Sequence, residues 1–369
     1  AFFAGAAFTA GGLGKHSADE LDRILAGRNV GIGLQADDDA LVFGGETTPA
    51  DLALELQLLT AHLVDPGYRP EAELLARRQM EPFYARLATQ PQGPLNLEAQ
   101  RLLASGDPRF GMPLKSESLA RTLDELRAWL APQLATGAIE LGLVGDLDAD
   151  ATISAVASTL GALPAREAKP VLEELRRVTI APPAAHVLTY AGAIEKNLLA
   201  LYWPTTDSRD IHRARRLAVL GSILDDRLRK KVREEIGGSY SPSAHSAPSD
   251  TYRDFGFMIA QIMLNPADLE RVRPAVLEAA ADLAKHGVTE EELNRARLPI
   301  LTTLRESERA NAYWLNAVVG SSQEQPERLD WARTRYADHE SITKPELDAL
   351  AAAYLDPARA IQFTIKPKE

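Results

Sequence analysis

The amino-acid sequence contains an internal repeat with a period of about 220 residues. Residues 48–52 read TPADL and residues 265–269 read NPADL. Each segment combines an N-cap residue, a proline at the first helical position and an acid at the third. Residues 122–126 (TLDEL) and 343–347 (TKPEL) form a second pair, in which both members are capping boxes. Matches in the same order at a nearly constant offset predict a duplicated domain.

The duplication sets the expected domain organisation. The chain has 369 residues, a length that suits two or three domains. Residues 166–183 are charged, contain proline and lack periodicity, so they are predicted to be a linker between domains 1–165 and 184–369. The counterpart of residue 184 would lie roughly 35–40 positions before residue 1. We therefore expect that the first domain lacks its N-terminal strands and that the chain begins inside a longer gene product.

Each copy combines strand-like runs with long amphipathic helices. Residues 198–203 and 255–264 are apolar runs of strand length, whereas residues 50–64 and 269–286 show helical periodicity. Further strands are predicted at residues 40–45, 138–144 and 360–365. This mixture predicts an α+β fold of two tandem homologous domains, each a mostly antiparallel sheet with helices packed on one face.

Composition excludes several classes of protein. The net charge of -11 disfavours nucleic acid as a partner, and no apolar run is long enough to span a membrane. Residues 1–8 (AFFAGAAF) lack the basic region of a signal peptide and are predicted to be folded interior. The absence of cysteine excludes disulfides, thiol nucleophiles and cysteine–zinc sites. It also leaves the compartment undetermined.

No metal or nucleophile motif is present. The sequence has seven histidines, no two of them within four residues of each other, so neither H-E-x-x-H nor H-x-x-E-H can exist. His16 and Glu20 are spaced like a ligand pair, but Ser17 and Glu20 form a capping box. Ser239 lacks the second glycine of a G-x-S-x-G elbow. We predict no metal site in this chain.

The best candidate for a functional segment lies at residues 217–243. Its apolar positions predict a helix that ends at Gly237 and Gly238. Arg233 falls in the last turn and Tyr240 follows seven residues later. A guanidinium and a phenol held together there could donate hydrogen bonds to a carbonyl or a developing oxyanion. The alternative is a cation that favours the helix C-terminus beside an ordinary strand tyrosine.

This segment also carries a family resemblance. Residues 228–241 (LRKKVREEIGGSYS) closely resemble the arginine–tyrosine motif in the C-terminal half of pitrilysin/insulinase-type zinc metallopeptidases. Residues 43–66 look like the helix that follows the sheet in domains of that family, and residues 141–146 (LGLVGD) resemble a recurring strand end. The resemblance covers essentially the whole chain, and tandem homologous domains in that family would produce the repeat.

The resemblance implies a site and a partner. Arg233 and Tyr240 fall on the positions that bind substrate backbone and stabilise the tetrahedral intermediate. The resemblance also implies that Gly237, Gly238 and Ser239 are substrate-binding residues. The family's N-terminal half carries the inverse zinc motif and its glutamate base, which have no counterpart here. We therefore expect zinc in a complementary half, either of the same polypeptide or a homologous catalytic subunit, and no peptidase activity from this chain alone.

Two functions remain open at this point. The chain is either the C-terminal half of a bacterial zinc-dependent endopeptidase or a non-catalytic family member that serves as a peptide-binding or assembly subunit. The presence of both Arg233 and Tyr240 favours the first, because a purely structural subunit has no need of them. Resemblance to exported bacterial peptidases favours a periplasmic or secreted location, with the cytoplasm not excluded.

Overall fold

The structure, a computed structural model, describes residues 1–236 and 241–368, with only the backbone described over 233–236. The chain forms two compact units. One comprises Ala1–Tyr84 and Pro113–Val171, and the other comprises Ala85–Met112 and Leu172–Glu369. A compact unit need not coincide with one copy of a duplicated domain. The predicted domain bounds, 1–165 and 184–369, therefore stay a prediction.

The elements of both units confirm the α+β class. The helices are α1 (Phe2–Ala7), α2 (Ala18–Ile24), α3 (Leu52–Val64), α4 (Pro70–Thr89), α5 (Gln100–Leu103), α6 (Lys115–Leu119), α7 (Leu123–Thr136), α8 (Ala149–Ser158), α9 (Ile211–Ile236), α10 (Leu269–His286), α11 (Glu290–Ser307), α12 (Asn311–Tyr313), α13 (Glu327–Ser341) and α14 (Lys344–Tyr354). The strands are β1 (Gly33–Ala36), β2 (Leu41–Gly44), β3 (Ala185–Tyr190), β4 (Asn197–Pro204), β5 (Ser243–Pro248), β6 (Gly256–Leu264) and β7 (Ile361–Pro367). Two π-helical turns occur at Leu95–Ala99 and Trp314–Val319.

The N-terminal residues are part of the core of the first unit, as predicted. Phe3, Ala7 and Phe8 are buried, and the Phe8 ring meets the edge of Phe43, with 5.6 Å between the ring centroids. Residues 1–8 therefore contribute to a folded interior.

The first unit contains a two-stranded antiparallel sheet. Strand β1 pairs with β2, and Gly33 lies opposite Gly44. The strand predicted at residues 138–144 is wrong, because the structure describes no strand there. A strand requires a neighbour to hydrogen-bond with. Among the described residues of the first unit, β1 and β2 are the strands that form a sheet, and they pair with each other. Residues 138–144 therefore have no neighbouring strand among these residues.

The second unit is built on a five-stranded sheet of order β3-β7-β4-β6-β5. Strands β3 and β7 are parallel, and the other neighbouring pairs are antiparallel. Strand β4 lies at the centre between β7 and β6, and its residues from Asn197 to Trp203 are buried. The sheet is therefore mostly antiparallel, as predicted, and buried on both faces at its centre.

Successive residues of β4 enter two different cores, because side chains alternate across a strand. Leu199, Leu201 and Trp203 pack with helices α9, α10 and α14. Leu198 and Tyr202 pack in a second core with residues 95–104. Helices cover one face as predicted. The other face is covered in part by residues 95–104, which precede the sheet in the chain by about 80 residues or more.

Candidate functional site

Helix α9 is the element that carries the predicted site. Its apolar side is fully buried against the sheet through Leu217, Leu220, Leu224 and Leu228. These positions are three or four residues apart, as expected for one face of a helix. The other side of α9 is rich in arginine, lysine and acidic residues that pair with neighbouring elements. The helix is thus fixed on the sheet from Leu217 to Val232.

The structure does not test the predicted site residues. Arg233 lies in the last turn of α9, where only the backbone is described. Gly237, Gly238, Ser239 and Tyr240 lie outside the described residues. Their roles therefore stay predictions from the sequence.

The two chain ends that flank these residues are held together by a hydrogen bond. Ala244, the second residue of β5, donates its backbone N–H to Oδ1 of Asp225 at 2.9 Å. Oδ2 of Asp225 pairs with Arg229 at 2.9 Å, and the Asp225 side chain is 17% exposed. Asp225 therefore links α9 to β5, the two elements that precede and follow the predicted site in the chain. Sequence analysis missed this residue, since its partner is a backbone group 19 positions away.

A glycine lets α9 approach β5 closely. A Cβ atom added at Gly221 would lie 2.9 Å from the Ser246 nitrogen and 3.1 Å from the Cα of His245. Distances this short require the backbone to move, so Gly221 is needed for the observed separation of helix and strand. Gly221 and Asp225 are four residues apart and face β5 together.

An arginine fixes the middle of α9 to the following helices. Arg227 pairs with Asp282 at 2.6 Å and with Glu292 at 2.7 Å, and it donates to the Gly287 carbonyl at 2.8 Å. Burial raises the pKa of Glu292, but hydrogen bonds from Arg227 and the Thr289 N–H lower it to about 2. Arg227 also lines an open groove of about 560 Å³ between α9 and α10.

A second cluster of charged residues lies at the start of α9. Asp338 of α13 accepts hydrogen bonds from Arg215 at 2.8 Å and Arg216 at 2.9 Å, and it contacts Nδ1 of His212 at 2.7 Å. Arg216 also pairs with Glu346 at 2.8 Å. Sequence analysis missed this cluster, because Arg215 and Asp338 are 123 residues apart in the chain.

No metal centre is described. Across residues 1–236 and 241–368, no three histidine or acidic side chains converge in a way that could hold a metal ion. His62 and His339 are buried and contact backbone carbonyls of their own helices through Nδ1. Burial lowers the pKa of both histidines. Among the same residues, no helix combines the length and apolar character needed to cross a membrane.

The fold of this chain is similar to that of several solved structures. The chain aligns with the periplasmic protease PqqL from Escherichia coli at 17% identity and a TM-score of 0.79, covering 99% of this chain and 40% of PqqL. The ferredoxin protease FusC, solved with Arabidopsis ferredoxin, gives 17% identity and 0.79 over 100% of this chain and 40% of FusC. A peptidase M16 inactive domain from Pseudomonas fluorescens gives 18% and 0.81, covering 99% of this chain and 88% of that one. At these identities the likeness shows the fold alone.

The described residues have the α+β fold that these solved structures share. Residues 121–299 match the family described as peptidase M16 inactive domain. This match and the structural neighbours confirm the predicted resemblance to the C-terminal half of pitrilysin-type peptidases. No curated protein matches the sequence. The chain spans 40% of the length of PqqL and of FusC.

Proposed function

We propose that this chain is the C-terminal half of a zinc-dependent endopeptidase and that it acts with a separate zinc-bearing half. In this proposal Arg233 and Tyr240 bind the peptide backbone and stabilise the tetrahedral intermediate. Gly237, Gly238 and Ser239 lie beside the substrate. The zinc and the general base belong to the other half, so the chain contributes hydrogen-bond donors and a binding surface to the reaction.

The match of residues 121–299 to a peptidase domain called inactive carries this proposal. Such a domain needs a partner to take part in catalysis. The position of Arg233 adds support, because helix α9 runs to Ile236 and is anchored to the sheet by a fully buried apolar side. A helix anchored in this way supports a transition-state donor, since catalytic groups must be held in place before the reaction.

The second candidate is a non-catalytic subunit that binds peptides or assists assembly. The description of the matched domain as inactive is equally consistent with a non-catalytic subunit. The two candidates differ in what they require of Arg233 and Tyr240. A binding subunit needs no transition-state donors, whereas the endopeptidase half depends on them.

A reconstitution assay separates the candidates. The chain is combined with a zinc-bearing half from the same genome, and the hydrolysis of a quenched fluorescent peptide library is measured with each half alone and with both. We expect hydrolysis only with both halves, and it should be sensitive to chelators. Complex formation without any increase in rate would favour the binding subunit. Equal activity from the zinc-bearing half alone would exclude a catalytic role for this chain.

We further infer a periplasmic or secreted location. The structurally similar PqqL is described as a periplasmic protease. Fractionation of the native host, with antibodies against this chain, tests the location directly.

A further inference from the structure

We propose that strand β3 is a binding site for an extended peptide that carries an acidic side chain. The peptide adds to the five-stranded sheet as a further strand beside β3, which lies at one end of the strand order. The residues that carry this inference belong to β3, β7 and α10, all within the second unit. The inference concerns binding by this chain alone and does not rest on the proposed function.

The backbone of β3 has one side that is not used by the sheet. Strand β3 pairs in parallel with β7, and such a pairing uses the backbone groups of alternate residues. The Gln362 N–H donates to the Ala184 carbonyl, and the Lys368 N–H donates to the Tyr190 carbonyl. The backbone groups that point away from β7 are therefore those of the odd-numbered residues Ala185, Val187 and Thr189. No strand among the described residues lies beyond β3, so these groups are available to a further strand.

Strand β3 lacks the features by which proteins commonly protect the edge of a sheet. Charged side chains, proline and bulges serve this purpose in native sheets. The three outward residues of β3 are alanine, valine and threonine; all three are exposed, and Val187 is 63% exposed. The pairing with β7 runs without a bulge from Ala185 to Tyr190. At the opposite edge, in contrast, the Ala244 N–H of β5 is already bound by Asp225.

The sheet face beside β3 carries a cation without a carboxylate partner. Val187 lies opposite Thr364 of β7, and Arg273 of α10 donates to Oγ1 of Thr364 at 3.0 Å. The Arg273 Nε is shielded from solvent and has no hydrogen-bond partner among the described residues. No carboxylate among those residues lies within ion-pair distance of this guanidinium. A partly buried cation of this kind is stabilised when an anion binds to it.

A second cation lies on the same face of the sheet. Lys366 is two residues after Thr364, so the two side chains share a face, and Lys366 lies opposite Thr189. A strand added about 4.8 Å beyond β3 places every second side chain on this face. An acidic side chain there is attracted by Arg273 and Lys366, whereas a lysine is repelled. The backbone of β3 thus supplies affinity and the cations select for an acid.

The binding test uses capped, fluorescein-labelled heptapeptides of alternating threonine and valine, with glutamate, glutamine or lysine at the fourth position. Fluorescence anisotropy measures their binding to the 369-residue chain. The glutamate peptide should bind about 5- to 10-fold more tightly than the glutamine peptide, because its hydrogen bonds to a cation are charge-assisted. The lysine peptide should bind most weakly.

Substitutions at Val187 test the role of the strand edge. Val187→Pro removes an outward N–H and leaves the bonds between β3 and β7 in place, so it should weaken binding of the glutamate peptide by about 10-fold or more. The matched control is Val187→Thr, which keeps the N–H and the branched side chain and should bind within about twofold of the unmodified chain. A thermal melt checks that each variant is folded.

Substitution of Arg273 tests the selectivity separately. Arg273→Gln should make the glutamate and glutamine peptides bind with equal affinity. The matched control is Arg271→Gln, which changes a 57% exposed arginine of the same helix and should leave the preference for glutamate unchanged. Equal binding of all three peptides to the unmodified chain would refute the selection for an acid.

Hydrogen exchange of the unmodified chain tests the site without any substitution. The glutamate peptide should slow exchange of the Val187 and Thr189 amide protons, since both become hydrogen-bonded to the added strand. Binding without protection of Val187 would overturn the proposal, as would undiminished binding to folded Val187→Pro. Self-association of the chain that Val187→Pro abolishes would show that a second copy, and not a peptide, occupies β3.

Discussion

Arg215 and Asp338 form a buried ion pair between the first turns of α9 and helix α13, with 2.8 Å between Nη1 and Oδ2. Only 10% and 4% of their side chains are exposed. Asp338 also pairs with Arg216 at 2.9 Å, so one carboxylate balances two guanidinium groups. Charges this far from water are costly unless they are paired. Asp338 therefore stabilises the first turns of α9 by neutralising the charges of Arg215 and Arg216.

Removing Asp338 should destabilise the protein strongly. Asp338→Ala leaves Arg215 and Arg216 without their shared carboxylate, and breaking a buried pair in this way costs about 3–5 kcal/mol. Urea unfolding at neutral pH measures the loss. The matched control is Asp330→Ala, since Asp330 pairs with Arg333 on the same helix but is 75% exposed. We expect the control to change stability by no more than about 1 kcal/mol. Equal losses would contradict the importance of burial.

The same carboxylate predicts a pH dependence. Burial raises the pKa of Asp338, but hydrogen bonds from Arg215, His212 and Arg216 lower it from 3.8 to about 2. The folded state therefore binds fewer protons than the unfolded state in this range, and its stabilisation by Asp338 is lost as the pH falls from about 4 to about 2. The difference in unfolding free energy between the unmodified protein and Asp338→Asn should shrink over this range. A constant difference would contradict the assigned pKa.

The isolated chain should contain no stoichiometric zinc. The sequence has no paired histidines, and no metal-binding cluster is found among the residues that the structure describes. Elemental analysis after dialysis should give well under one zinc per chain, and peptide hydrolysis by this chain alone should be undetectable. Bound zinc together with chelator-sensitive hydrolysis would show that the expectation is wrong.

Substitution of the proposed donors should impair the reconstituted peptidase without unfolding it. Loss of one oxyanion donor typically lowers kcat by about 100- to 1,000-fold. We expect Arg233→Ala and Tyr240→Phe to lower kcat by about one to three orders of magnitude and to leave the melting temperature nearly unchanged. Arg213→Ala is a suitable control, because Arg213 is 45% exposed near the other end of α9. Full activity in both donor variants would remove these residues from the mechanism.

A fragment cut at residue 184 should fold less well than the sequence-based domain bounds suggest. It retains Leu198 and Tyr202 but lacks Leu95 and Leu103, which pack with them in one core. Each buried leucine contributes about 1.5–3 kcal/mol. The fragment should bind a hydrophobic dye and melt at a lower temperature than the whole chain. Fusing residues 85–112 to the fragment should reverse both effects, and a dye-free, fully stable fragment would contradict the packing.

Local chemistry in the sequence was sufficient to predict several of the elements. Thr122 and Glu125 form the expected reciprocal cap at the start of α7, with bonds of 3.0 and 3.2 Å. Helix α10 has the predicted bounds, Leu269–His286. These features depend on residues within a few positions of each other, so the sequence displays them directly. The two π-helical turns also recur about 220 residues apart, at the offset of the sequence repeat.

Features that depend on distant partners could not be predicted in this way. Helix α3 was expected from Ala50, but it begins at Leu52. Asp51 instead accepts the Asn29 N–H at 2.9 Å and pairs with Arg28 at 3.2 Å, contacts that no local pattern shows. The link between Asp225 and Ala244 is of the same type. The prediction of a strand at residues 138–144 was wrong for a related reason. A strand depends on a neighbouring strand, and sequence periodicity does not show whether such a neighbour exists.

The cover of the five-stranded sheet also bears on the order in which the chain can fold. Leu95 and Leu103 leave the ribosome before any strand of the sheet that they cover, and the last of those strands, β7, ends at Pro367. Contacts over such long separations form slowly. During synthesis these two leucines are therefore exposed without their final partners until β7 has left the ribosome.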